Sequence, residues 1–178
     1  ETQGHTAAVI YLEQSFDIVI RKLRLARFRG IGVCGYDLHK ASISEVVFDG
    51  CAINASCSAG LFQVSRCDTD QQQNTILTVQ SCIYQSLFNV AHISAGLSLR
   101  CVHVRIQDCV FEDLGGVSIS AIRVNVTVEN STFVGNRGND IIVEDSNTTA
   151  SRCRFNGHRN EEAMSITSTG SVTASITE

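Results

Sequence analysis

The sequence predicts an all-β solenoid, one domain (1–178) wound into about six to seven coils. Three observations carry that expectation. One strand-plus-turn template recurs six times. Its anchor residues stand 23, 36, 27, 22 and 22 positions apart, the spacing of stacked coils. Within each copy the apolar residues alternate at a period of two, which is the pattern of a half-buried strand.

The template is clearest in VTVENSTFVGN (126–136). With Phe133 as anchor, Ser131 lies two residues before it, Val128 five and Val126 seven. The same offsets give Cys109, Ile106 and Val104 before Phe111, and Cys82, Val79 and Leu77 before Tyr84. They give Cys153, Ala150 and Thr148 before Phe155, Val46, Ile43 and Ala41 before Phe48, and Leu23, Ile20 and Ile18 before Leu25. A second short apolar stretch follows each copy, as in Ile31 and Val33 or Val117 and Ile119. A helical repeat would need a 3.6-residue period, and a leucine-rich repeat would show fixed leucines; neither is present. Stacking the copies pairs each strand with its equivalents and piles Leu25, Phe48, Tyr84, Phe111, Phe133 and Phe155 into one internal column. The long 36-residue interval contains a Cys- and Gln-rich stretch, 51–74, expected as a loop inserted into one turn.

This pattern resembles the right-handed parallel β-helix repeats of the pectate-lyase-like superfold over roughly residues 16–176. Handedness is what that resemblance, with the general bias of parallel crossovers, implies. FVGN (133–136) and GGVS (115–118) are also similar to the F-x-x-N and G-G-A-I motifs of polymorphic outer-membrane adhesins, whereas FRGI, FDGC, FEDL and FNGH depart from the first.

Composition narrows the function classes. Net charge is −4 with scattered Lys and Arg, so no nucleic-acid footprint stands out. Mean hydropathy is +0.07, and no apolar run reaches the length a bilayer needs. The chain opens at Glu1 without a charged-then-apolar leader, as expected after signal removal or inside a longer protein. Eight cysteines lack paired C-x-x-C spacing, and four N-x-S/T triplets occur at Asn54, Asn125, Asn130 and Asn147. Together they point to a secreted or cell-surface glycoprotein with disulfides. Cys82 and Cys109 share a template position in successive copies, and Cys34 and Cys57 each lie nine residues after an anchor. Vertical neighbours fall within disulfide reach, so both pairs are candidates, with a ladder of buried free thiols as the alternative. Asn125 and Asn147 both lie eight before their anchors, which would place two sugars on one flank, one coil apart. The last residues, SVTASITE (171–178), still alternate, as expected for an excised segment or for copies stacking end to end.

The polysaccharide hydrolases and lyases of the superfold set the test for catalysis. DTD (68–70) and RIQ (105–107) are partial matches, without an Asp-Asp pair or a Gly-His-Gly. The doublets Glu112-Asp113, Glu144-Asp145 and Glu161-Glu162 read as solvated charges. Arg100, Arg105 and Arg123 have no acidic trio beside them, and His5, His39, His92, His103 and His158 share no template position. Aromatics are 6% with no Trp, which is thin for a sugar-stacking groove. The expectation is therefore a chain without catalytic residue, metal or cofactor. It would be an extracellular structural stalk, surface coat or filament subunit that associates end to end. The alternatives are an adhesin-like ectodomain whose inserted loop contacts a surface glycan or protein, and a polysaccharide-degrading relative.

Overall fold

The computed structural model describes residues 8–28, 30–51, 59–64, 76–87, 95–156 and 174–177. All of its elements are strands, and every pairing among the described residues is parallel. The first layer holds β1 (Ala8–Glu13) and β2 (Ile18–Phe28), and the second β3 (Ile31–Tyr36) and β4 (Lys40–Cys51). The third holds β5 (Ala59–Val64), β6 (Ile76–Gln80) and β7 (Ile83–Gln85); the fourth β8 (Ala95–Arg100), β9 (His103–Gln107) and β10 (Val110–Glu112). The fifth holds β11 (Val117–Ile122), β12 (Asn125–Glu129) and β13 (Thr132–Val134); the sixth β14 (Ile141–Glu144), β15 (Asn147–Ser151) and β16 (Arg154–Asn156). A last strand, β17 (Ala174–Thr177), lies on β15. The fold is a parallel β-solenoid of about five turns, slightly fewer than the six to seven expected.

One sheet stacks β1-β3-β5-β8-β11-β14. The other bends into two faces. One face runs β6-β9-β12-β15-β17 and the other β7-β10-β13-β16, and both join on the long strand β4, which also carries β2. The bend falls three residues before each anchor, where Lys22, Glu45, Ser81, Asp108, Asn130 and Arg152 all take positive φ of 48–55°. Two more corners follow the same rule: Arg27, Gly50, Ser86, Asp113 and Gly135 two residues after the anchors, and Gln14, Asp37, Cys101, Arg123 and Asp145 at the third corner. A left-handed residue turns the chain without a helix or a long loop.

A single apolar cluster runs through all the layers. The rings of Phe48, Tyr84, Phe111, Phe133 and Phe155 stack at centroid spacings of 4.7, 4.9, 4.8 and 4.8 Å with interplanar angles under 10°. That spacing is the strand-to-strand distance itself, so hydrogen-bonding register and ring stacking enforce the same geometry. Leu25 continues the column into the first layer, 8% exposed. Opposite the rings sit Gly32, Gly60 and Gly96. A Cβ on Gly60 would lie 2.7 Å from Tyr84 Cδ1, and one on Gly32 2.9 Å from Phe48 Cδ1. The glycines make room for the aromatic column.

The stretch 51–74 is not one inserted loop. β4 runs on to Cys51, and Ala59–Val64 is a strand in register with β3 and β8. The register that continues through β5 is what keeps the first sheet unbroken, while 52–58 and 65–75 lie outside the described residues.

Candidate functional site

The residues with chemistry to offer gather along the third corner, where β8, β11 and β14 hand over to β9, β12 and β15. Here Cys101, Arg123 and Asp145 are the left-handed residues of three successive layers, 22 positions apart. Two residues further on, His103, Asn125 and Asn147 begin the next strands. Across these three layers lies an open cavity of about 280 Å³ lined by Cys101, Val102, His103, Arg123, Val124, Asn125 and Asp145. Val102 and Val124, packed in the core with almost no exposed surface, close its floor. A guanidinium, a carboxylate, an imidazole and a carboxamide surround that floor. This set of donors and acceptors suits a hydroxyl-rich ligand of one ring rather than a bare ion. Among the described residues no three His, Cys, Asp or Glu side chains group to hold a metal.

The glycosylation candidates share this region. Asn125 and Asn147 are exposed and directly paired in register, and Asn147 Nδ2 donates to Asn125 Oδ1 at 3.2 Å. Asn130, also exposed, sits at the bend with φ 48° and donates through Nδ2 to Asp108 Oδ1. Asn54 lies outside the described residues.

The disulfide candidates do not pair. Cys34, Cys82, Cys109 and Cys153 form no disulfide, and Cys57 lies outside the described residues. Instead three of the thiols act as corner donors. Each donates to the carbonyl two residues back: Cys82 Sγ to Gln80 O (3.3 Å), Cys109 Sγ to Gln107 O (3.2 Å) and Cys153 Sγ to Ser151 O (3.4 Å). Ser131 does the same toward Glu129 O at 2.9 Å and accepts the Cys109 N–H at 3.2 Å. The hydrogen bond with Cys82, together with burial, pushes the Cys109 thiol well up, which keeps it from forming the reactive thiolate. Cys101, by contrast, is disulfide-bonded.

Of the groups weighed for catalysis, His103, Arg123 and Asp145 line the cavity, and other described ones stand apart from it. Arg105 pairs with Glu129 at 2.9 Å on the outer surface, and Asp113 and Asp145 occupy corners. Asp68 and Asp70 of DTD, like His5, His92 and His158, lie outside the described residues. Another arginine, Arg24, bonds Asp49, and these contacts, with Gln85, hold the Asp49 carboxyl below its ordinary range. Such surface ties clasp neighbouring layers.

FVGN has a structural use. Asn136, fully buried, accepts the Leu114 N–H at 3.0 Å, and its Nδ2 lies within hydrogen-bonding distance of Phe111 O, Ser118 Oγ and Asp140 Oδ1. The left-handed corners, the glycine column and the pocket were missed at the level of sequence. A signal for the pocket existed: Cys101, Arg123 and Asp145 each lie ten before their anchors, and His103 shares the offset of Asn125 and Asn147.

Comparison of the chain with family models, with curated proteins and with solved structures finds no match in any of the three. No helix among the described residues is long and apolar enough to cross a membrane.

Proposed function

We propose that this chain is a non-catalytic extracellular structural glycoprotein, a rigid β-helix unit of a stalk, surface coat or filament. The observation that carries the reading is the unbroken ring column from Phe48 to Phe155. Bending the axis would open ring contacts on one side and crush them on the other, so the unit resists flexing. Five turns at about 4.8 Å give an axial rise of roughly 24 Å. A stalk of useful length therefore needs further coils, from a longer chain or from neighbouring copies. The edge of the first layer suits such an addition. Ile10, Leu12, Ile18, Ile20 and Leu23 are only partly buried there, and β1 and β2 have strand neighbours on one side only among the described residues. Electron microscopy across a concentration series tests the reading. Lengthwise particles that grow with concentration are expected; compact monodisperse particles at every concentration would overturn the filament form.

A second reading, an adhesin-like binding ectodomain, is favoured by one observation. Exposed aromatic side chains cluster on the first two layers: Tyr11 and Tyr36 at 5.7 Å, and Phe16 stacked on His39 at 4.2 Å. Replacing Tyr11 and Phe16 with Ser would abolish attachment to a partner surface under this reading and leave filament growth unchanged under the first.

A further inference from the structure

We infer that Asn125 is the residue of the Asn125–Asn147 ladder that carries an N-linked glycan, and that the innermost sugar of that glycan lies in the corner cavity beside it. The inference rests on the extracellular glycoprotein reading and assigns the cavity an occupant. Its starting point is the orientation of one amide. Because Asn147 Nδ2 donates to Asn125 Oδ1 at 3.2 Å, the Asn125 oxygen faces the layer of Asn147. Nδ2, the other terminus of the same amide, is left outside that contact, and Asn125 itself lines the cavity. The other described acceptor asparagines use Nδ2 within the protein: Asn147 toward Asn125, and Asn130 toward Asp108. Asn125 Nδ2 makes no hydrogen bond among the described residues.

The cavity fits what would be attached. An N-acetylated hexosamine offers hydroxyls, an acetamido group and an apolar ring face. Val102 and Val124, packed in the core, close the bottom of the cavity, and about 280 Å³ accommodates one such ring rather than a chain. Arg123, which forms no ion pair among the described residues, can donate to ring hydroxyls, as can His103. In the attachment, a transferase forms the bond from Nδ2 to the sugar C1 as the C1–O bond to a polyprenyl diphosphate carrier breaks. The diphosphate departs with the electron pair, and one amide proton is lost. The second N–H remains, and the Oδ1 contact to Asn147 is undisturbed. A glycan on Asn147 would instead crowd against Asn125 one layer away.

The test uses the chain secreted from glycosylating cells, with site occupancy read by mass spectrometry of glycopeptides and enzymatic glycan release followed under native conditions. Asn125 is expected to be occupied and to release its glycan roughly fivefold more slowly than Asn130, the protection one net hydrogen bond gives. Arg123→Asn, which keeps a residue suited to positive φ, should bring release at Asn125 to the Asn130 rate with an unchanged urea midpoint; His103→Ala is a second probe. A glycan on Asn130 or Asn147 with Asn125 bare would overturn the inference and leave the glycoprotein reading standing. So would release at Asn125 that matches Asn130 in the unaltered chain, or that neither variant changes. A glycan on Asn54 alone would overturn the inference but not the glycoprotein reading, whereas no glycan on any of the four triplets would remove both.

Discussion

The first two layers and the last two solve the same bend in different ways. In β2 and β4 the strand runs straight through the bend for 11 and 12 residues, and the position after the left-handed residue is Leu23 or Val46. In the later layers that position is Cys82, Cys109, Ser131 or Cys153, and each layer has two short strands instead. The thiols and the hydroxyl donate to the carbonyl two residues back, which Leu and Val cannot do. A side-chain donor competes with the strand ladder and turns a gentle kink into a break. The lining opposite the rings changes as well. Glycine in the second, third and fourth layers gives way to Ser118 and Asp140, which hydrogen-bond each other and Asn136. The early layers are thus held by apolar shape and the late ones by buried hydrogen bonds.

The largest expected effect comes from the column the two regions share. Phe133→Ala should cost about 3–5 kcal/mol in urea unfolding. Leu25→Ala, at the half-open end of the same column, should cost no more than about 2 kcal/mol. Equal losses would show that the first layer is as tightly closed as the fifth.

Next is the bend itself. Ser131→Val makes the fifth layer resemble the second but strands the buried Cys109 N–H, which donates to Ser131 Oγ. A loss of about 1–3 kcal/mol is expected, with faster amide exchange at Cys109. An unchanged exchange rate would mean that the donor does not hold the corner.

Tyr84 offers a gain. Its hydroxyl is buried without a hydrogen-bond partner, and burial raises its pKa well above the ordinary value. Tyr84→Phe should stabilise the chain by about 1 kcal/mol at neutral pH. The sign of the alkaline effect follows from the raised folded pKa: stability is complete below about pH 10, where the unfolded tyrosine ionises, and falls as pH rises beyond it. The advantage of the phenylalanine variant should therefore widen above pH 10. Smallest of all, Arg105→Gln removes an exposed tie to Glu129 and should change stability by less than about 1 kcal/mol.

The ring column was legible because each anchor ends a two-residue alternation that skips one position at the bend in the same place every time, and only one stacking keeps all those anchors inside. The corners were not. Positive φ is taken by Lys22, Glu45 and Arg152 as readily as by Asn130 or Gly135, because the adjoining layers impose the conformation whatever the side chain prefers. Cysteine spacing marked a shared position with two outcomes, a bond or a ladder of buried thiols, and at Cys82 and Cys109 the ladder is the one observed. Cys82 and Cys109 stack as parallel neighbours whose thiols share a hydrogen bond, and each sulfur also reaches a carbonyl of its own corner. The candidate site was hidden for a related reason. His103, Arg123 and Asp145 come from three layers and meet only once the coil period is applied to polar positions as strictly as to apolar ones.

The ring column has an optical consequence. The chain has no tryptophan and three tyrosines, and Tyr84 alone of these is clamped between two phenylalanines at 4.7 and 4.9 Å. Excitation absorbed by Phe48 or Phe111 will pass to that phenol, whose fixed asymmetric surroundings give it circular dichroism near 280 nm that a freely rotating ring lacks. The middle of the solenoid carries its own chromophore for watching the coils close.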